Sequence, residues 1–317
     1  MKLEDVRNIT ILGTGMMGPG IAVVFARAGY GVVIWGTDEA DTRRGVENFK
    51  RNVQDLLDQG LLSQEEADSM SAHVSTTVDL GEAARRADFV CEAVLEDLEL
   101  KQDIFGKLDE YAPISAVVTS TTSTLSPTRI AEKMKNKSRM MVAHFWNPAY
   151  LCPLVEVCGN RETSPETAKL TLGLLSKVGN RPVLLKKEVL GFIGNRLMHA
   201  MNREAISMIQ KGIVTAEDID NAVLSSFGPR FANIGPMEYL DFVGLDLVAK
   251  VQNYLHEDLE KQGGIMTLVK GKIEGNELGM KSGVGFFDWS RKNPDDVRAR
   301  RDREFMRRLK ESHVSKV

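Results

Sequence analysis

Six residues, Gly13-Thr14-Gly15-Met16-Met17-Gly18, constrain this chain more than any other stretch because of what flanks them. Asn8-Ile9-Thr10-Ile11-Leu12 reads as a short buried strand running into the turn, and residues 21–28 read as the apolar helix leaving it. Glycine-rich turns are common, but strand, three glycines and helix together form a mechanism. Gly13 permits the tight turn, Gly15 has no side chain to block a pyrophosphate, and Gly18 lets the helix pack close on the strand. The phosphates would rest on free backbone N–H groups at the helix start, where the helix dipole favours negative charge. Gly13, Gly15, Met16, Met17 and Gly18 are therefore the expected cradle of a dinucleotide. The alternative is a structural strand-to-helix turn without a ligand.

A chain of 317 residues can form two domains with sizeable cores. Its net charge of -3 gives no global attraction for nucleic acid or an anionic membrane, so an anionic ligand must be held by a local site. The N-terminus lacks the basic-then-apolar pattern of a signal peptide, and no apolar run approaches the roughly 20 residues needed to cross a bilayer. A cytoplasmic protein with neither nucleic-acid nor membrane partner is expected. Cys91, Cys152 and Cys158 show no metal-type spacing and suit buried thiols in a reducing compartment.

Further strands are expected at residues 31–35, 73–77, 88–94, 116–119, 140–143 and 181–185. Folds of this kind place an acid at the end of the second strand to accept from the adenosine ribose. Here that position is Gly36. Either Asp38 supplies the carboxylate, which favours NAD, or Thr37 with Arg43 or Arg44 accepts a phosphorylated ribose, which admits NADP. Asp38 equally suits the N-cap of the following helix. Residues 42–70 read as a charged helical pair projecting from the sheet. Beyond residue 185 strand signals stop, and helical periodicity covers residues 191–212, 215–226 and 236–259, with Thr215 and Asp218 as a capping box. This shift divides the chain into residues 1–187, a dinucleotide-binding domain, and 188–317, a helical substrate domain. Residues 295–316 are dense in charge and read as a solvated terminal helix.

His144 stands at the carboxyl end of the strand at 140–143, and Ser123 at the end of the one before it. In open α/β sheets ligands bind beyond those ends, so both face the crevice of the glycine turn. Glu156 follows a Pro-containing loop that can return it to the imidazole. A carboxylate there fixes the ring tautomer and stabilises the imidazolium formed when His144 takes a proton. The bland alternative is a hydrogen-bonded structural histidine.

The glycine turn, Cys91-Glu92-Ala93-Val94-Leu95-Glu96 with Lys101, Ser123, His144-Phe145-Trp146-Asn147-Pro148, Leu154-Val155-Glu156-Val157, Gly191-Phe192-Ile193-Gly194-Asn195-Arg196, Gly235-Pro236-Met237-Glu238 and Gly283-Val284-Gly285-Phe286-Phe287 occur in one order along the chain. Together they closely resemble the 3-hydroxyacyl-CoA dehydrogenase family. The resemblance implies an α/β fold, a Rossmann-type doubly wound sheet followed by an all-helical C-terminal domain that mediates homodimerisation. It implies NAD-dependent oxidation of CH–OH, 3-hydroxy acid to 3-oxo acid, with His144 as general base and Glu156 as its orienting partner. By the same carry-over Ser123 and Asn195 hydrogen-bond the substrate oxygen, while Glu96 and Lys101 line the cofactor.

Two departures bear on the substrate. Leu56-Leu57-Asp58-Gln59-Gly60 carries an acid where acyl-CoA enzymes usually carry lysines for the CoA phosphates. Phe227-Gly228-Pro229-Arg230-Phe231-Ala232-Asn233-Ile234-Gly235 is similar to the branch acting on free hydroxy acids, the gulonate dehydrogenase or lambda-crystallin type, where Arg230 would pair with a substrate carboxylate. The alternatives are a 3-hydroxybutyryl-CoA dehydrogenase of fatty-acid metabolism and, in another class, a non-catalytic cofactor-binding structural protein.

Overall fold

Apolar, β-branched runs in the first half of the chain become eight strands: β1 (Asn8–Leu12), β2 (Gly31–Trp35), β3 (Val74–Thr77), β4 (Phe89–Glu92), β5 (Val117–Ser120), β6 (Met140–Phe145), β7 (Leu154–Gly159) and β8 (Arg181–Leu185). The computed structural model describes residues 1–314, with side chains described through residue 311. One sheet contains all eight strands in the order β3-β2-β1-β4-β5-β6-β7-β8. From β3 to β6 every pairing is parallel, β7 runs antiparallel to β6, and β8 is parallel to β7. Phe89 and Cys91 join one core cluster while Val90 between them joins a second, so β4 is buried on both faces, as a covered parallel sheet requires.

Helices α1 (Met17–Arg27), α2 (Glu39–Asp58), α3 (Gln64–Ala72), α4 (Leu80–Arg85), α5 (Leu98–Tyr111), α6 (Pro127–Ile130) and α7 (Pro165–Lys177) connect these strands. Side-chain oxygens cap several of them: Ser63 and Glu66 form a capping box on α3, and Asp97 caps α5. The expected helical pair is α2 and α3, but it does not project. Its apolar residues Phe49, Val53, Leu56, Ala67 and Met70 are buried in the same cluster as Ile21 and Phe25 of α1. The pair therefore lies folded onto α1.

After β8 follow α8 (Gly194–Gln210), α9 (Ala216–Ser225), α10 (Phe227–Phe231), α11 (Pro236–Val243), α12 (Leu245–Leu255), α13 (Thr267–Glu274) and α14 (Pro294–Val314). The Thr215–Asp218 capping box forms at α9. The single helix expected over 236–259 is two, because Gly244 adopts φ +91° between α11 and α12. The terminal helix is not wholly solvated either: Phe305, Met306 and Leu309 pack against the core cluster of the sheet. The last residues of the expected 295–316 helix lie outside the described residues.

The described chain divides into two compact units, Met1–Gly194 together with the residues from Asp302 onward, and Asn195–Arg301. The division expected from the sequence puts all of 188–317 in one helical domain. The difference at the end of the chain follows from the apolar residues of α14 that rejoin the sheet. Within the second unit Ser207 Oγ donates to Glu260 Oε2 at 2.6 Å, and Glu204 accepts from the Glu260 N–H at 2.7 Å. Among the described residues no helix is long and apolar enough to cross a membrane.

Candidate active site

The glycine turn has the shape a pyrophosphate needs. A Cβ on Gly13, whose φ is +113°, would lie 2.4 Å from the Ala93 carbonyl oxygen, and one on Gly18 would lie 1.9 Å from the Gly13 carbonyl oxygen. Those two glycines close the turn on itself. In front of Gly15 there is no heavy atom within 4 Å of an added Cβ, so that side of the turn is open. Met16 at the N-cap of α1 offers no side-chain cap, and the first turn holds no acid. The N–H groups at the start of α1 are thus left for an anion, and the residues present fit a dinucleotide. Gly18→Ala should prevent the turn from closing and lower the melting temperature. Gly15→Ala should melt as the wild type does and bind NADH roughly tenfold or more weakly. Fluorescence titration beside a melting curve checks both.

The second cluster is built on paired strands. His144 is the fifth residue of β6, inside the strand rather than beyond its end, and lies opposite Glu156 of β7 in the ladder. His144 Nδ1 is 2.8 Å from Glu156 Oε2, and Nε2 is 3.1 Å from Ser123 Oγ, just past β5. Trp146 Nε1 donates to Glu156 Oε2 at 2.9 Å, and Oε1 accepts from the N–H groups of Ile193 at 2.6 Å and Gly194 at 2.9 Å. Gly191 (φ +76°) and Phe192 (φ +50°) take left-handed conformations that bring those two N–H groups onto the carboxylate. Burial opposes the charge on Glu156, but the bonds from His144, Gly194, Trp146 and Ile193 outweigh it and hold its carboxyl at about 2. A carboxylate only accepts, so Nδ1 donates to it and Nε2 is the ring nitrogen turned toward Ser123. His144 is 4% exposed, and its imidazole packs against the rings of Trp146 and Phe192 at 5.8 and 5.3 Å between centroids.

Glu96 and Lys101 occupy a linked network beside that cluster. Glu96 Oε1 accepts from the Ser123 N–H at 3.1 Å and from the Thr122 and Thr124 hydroxyls, so it organises the loop that carries Ser123. Its Oε2 lies 3.4 Å from Lys101 Nζ. Lys101 itself is 1% exposed and donates to Glu92 Oε1 at 2.6 Å. Burial pushes the Glu92 carboxyl upward against the pull of Lys101. Lys101 thus stands behind Glu96, with Glu92 as its main partner.

At the end of β2, Asp38 caps α2, its Oδ1 accepting from the Asp41 N–H at 2.8 Å. Asn195 opens the second unit near the start of α8, and Arg230 is exposed on α10, its guanidinium stacked 4.3 Å from the centroid of Tyr239. Sequence reasoning missed two contributors: the indole of Trp146 and the ring of Phe192. The aromatic residues stand inside the motifs that carry His144 and the turn at Gly191, which was the available signal. Cys91, Cys152 and Cys158 are buried and free, and burial pushes the Cys91 thiol up to about 12, leaving it inert.

Comparison with known proteins gives a concordant picture. A family model described as 3-hydroxyacyl-CoA dehydrogenase, NAD binding domain, matches residues 8–189, and one described as 3-hydroxyacyl-CoA dehydrogenase, C-terminal domain, matches residues 191–289. The 5-formyl-3-hydroxy-2-methylpyridine 4-carboxylate 5-dehydrogenase of Mesorhizobium japonicum is 33% identical over 306 residues, 95% of this chain and 96% of that protein. A 3-hydroxyacyl-CoA dehydrogenase of Gibberella moniliformis is 36% identical over 235 residues, 74% of this chain and 71% of that one. The crystal structure of a 5-formyl-3-hydroxy-2-methylpyridine 4-carboxylic acid 5-dehydrogenase, an NAD+-dependent dismutase, is similar with a TM-score of 0.88 and 32% identity, covering 96% of this chain and 99% of that chain.

Proposed function

The chain belongs to the 3-hydroxyacyl-CoA dehydrogenase family, and on that premise we propose that His144 is the general base of an NAD-dependent oxidation of a hydroxyl β to a carboxylate. The observation that carries this reading is the buried imidazole whose Nδ1 is held by an ionised carboxylate at 2.8 Å while Nε2 faces Ser123. NAD+ would be held at the glycine turn with Glu96 beside it and Lys101 behind Glu96, and would supply the hydride acceptor. His144 Nε2 takes the hydroxyl proton as the carbinol carbon gives up its hydride, and Glu156 stabilises the resulting imidazolium. Ser123 holds the substrate oxygen in place, the role that the family resemblance also gives to Asn195. Both products of the C–H and O–H cleavage are thereby accounted for, and the alcohol becomes a ketone.

For the substrate, a small free hydroxy acid is the better fit. Asp58 at the end of α2 is exposed and accepts from Gln54, so this surface has an acid where CoA phosphates would need cations. Arg230 offers one guanidinium, enough for one carboxylate, and the Mesorhizobium relative is named for a pyridine carboxylate. The second reading, an acyl-CoA thioester and a place in fatty-acid metabolism, is favoured by the Gibberella relative's name. The test is kcat/KM for free β-hydroxy acids and for 3-hydroxybutyryl-CoA, in the wild type and in Arg230→Met. Arg230→Met should lose about 2–5 kcal/mol, roughly 30-fold or more, on the free acid. Unchanged activity on free acids, or a clear wild-type preference for the thioester, moves the chain to the second reading. Silence with every substrate would favour a cofactor-binding structural protein.

We place the protein in the cytoplasm as a homodimer. The helical unit supports the dimer, since α9 to α13 contain no buried residue. Met237, Phe242 and Tyr254 are 70%, 80% and 88% exposed, an apolar surface that a second copy would cover.

A further inference from the structure

We propose that Asp41, in the first turn of α2, is the carboxylate that receives the adenosine ribose of the dinucleotide and selects against a 2′-phosphate. The inference rests on NAD being the cofactor. The acid that ordinarily follows the second strand and binds the ribose hydroxyls is absent here, because the position is Gly36. A Cβ built on Gly36 lies 3.1 Å from Asp41 Oδ2. The Asp41 carboxylate therefore stands where the side chain of an acid at position 36 would begin, delivered from the helix instead of the strand.

Its bonds fix it there. Oδ2 accepts from the Thr37 N–H at 2.9 Å and from the Thr37 hydroxyl at 3.2 Å, while Oδ1 accepts from the Thr14 hydroxyl and from Arg44. Thr14 belongs to the glycine turn and Thr37 to the end of β2. One carboxylate thus ties together the two stretches between which the adenosine half of a dinucleotide lies in this fold. The side chain is 13% exposed, so it shows an edge to the crevice without being free to swing away. Burial opposes its charge, but the bonds from Thr14 and Thr37, with Arg44, hold the carboxyl below the usual range, and it is ionised at neutral pH. Asp38, two residues past Gly36 in sequence, has its Oδ1 occupied by the helix cap.

Arg44 is the charged partner of Asp41, and it can leave. It is 61% exposed, and an exposed ion pair of this kind contributes little. A ribose hydroxyl donating to Oδ1 replaces it with a bond to the same charged oxygen. A 2′-phosphate brought to that place would meet a carboxylate of like sign, and specificity arises from that repulsion as much as from the new bond.

Titration of NADH and NADPH into the wild type and Asp41→Asn, followed by nucleotide fluorescence beside a melting curve, tests the assignment. The wild type should prefer NADH. In Asp41→Asn the ratio of NADH to NADPH affinity should fall roughly tenfold or more, with NADH weakened and NADPH not. A merely structural carboxylate would weaken both alike, and that result, or an unchanged ratio, overturns the assignment of Asp41. If Asp41→Asn does not fold, Arg44→Met probes the same oxygen: stripped of its cation, the carboxylate should raise the ratio, and an unchanged or lowered ratio overturns the proposal. A wild type that prefers NADPH also overturns it. A wild type that binds neither dinucleotide overturns the cofactor reading itself.

Discussion

Replacing His144 with Gln lowers turnover by roughly two to four powers of ten, the usual worth of a positioned acid–base, while NADH binds as before. Gln approximates the size of the imidazole, so the buried space between Trp146 and Phe192 stays filled. What it removes is the imidazole nitrogen that lies 3.1 Å from Ser123 Oγ. An amide oxygen does not accept a full proton near neutral pH, so the hydroxyl would have to ionise against water alone. The glycine turn lies on β1 and α1, outside the altered contacts, and its affinity for the dinucleotide should hold. Initial rates and an NADH titration on the same preparation check both halves. Near-native turnover with NADH still bound would remove His144 from the reaction.

The largest effect on stability is expected for Glu156→Gln. The carboxylate is fully buried and accepts four N–H groups, from His144, Trp146, Ile193 and Gly194. A carboxamide has one accepting oxygen, so its NH2 must face donors on one side. Breaking such a buried arrangement costs about 3–5 kcal/mol, which corresponds to a melting temperature lowered by roughly 6 °C or more. The pH dependence has a definite sign. The Glu156 carboxyl is depressed from 4.5 to about 2, so the stability it contributes is fully present above pH 4.5 and is lost as pH falls toward 2. The gap between wild-type and Glu156→Gln melting curves should therefore be constant at neutral pH and narrow in acid below that value. A gap independent of pH throughout would mean that the carboxylate's charge is not what holds the turn at Gly191.

Much of this site was readable because its parts obey short-range rules. β1 and β4 are mostly apolar and buried on both faces, β2 is apolar and alternates between buried and half-buried residues, and the glycine turn declares itself through the strand before it and the helix after it. The pairing of His144 with Glu156 also follows from local chemistry. Two runs of strand-forming residues flank a loop with Pro148 and Pro153, and an antiparallel return puts the two side chains opposite each other. Residues whose roles depend on a distant partner were not readable. Asp41 looks like an ordinary acid in the first turn of a helix, and only the missing side chain at Gly36 gives its carboxylate room to face Thr14. Lys101 looks like a surface cation, yet Glu92 inside an apolar strand was a buried charge in need of one, which is the signal that places it. Phe305, Met306 and Leu309 form a short apolar stripe within a run of charges, and charge density alone obscured it.

This chain should move a hydride from a carbinol carbon to NAD+ with His144 taking the proton. A β-hydroxy substrate, free acid or thioester, carrying deuterium at the carbinol carbon tests it directly, with the reduced cofactor recovered and its nicotinamide ring examined for the label. The wild type should place deuterium on the nicotinamide, and His144→Gln should lose roughly two to four powers of ten in that transfer. Transfer by His144→Gln at the wild-type rate, or no label on the cofactor with either substrate class in the wild type, would contradict it.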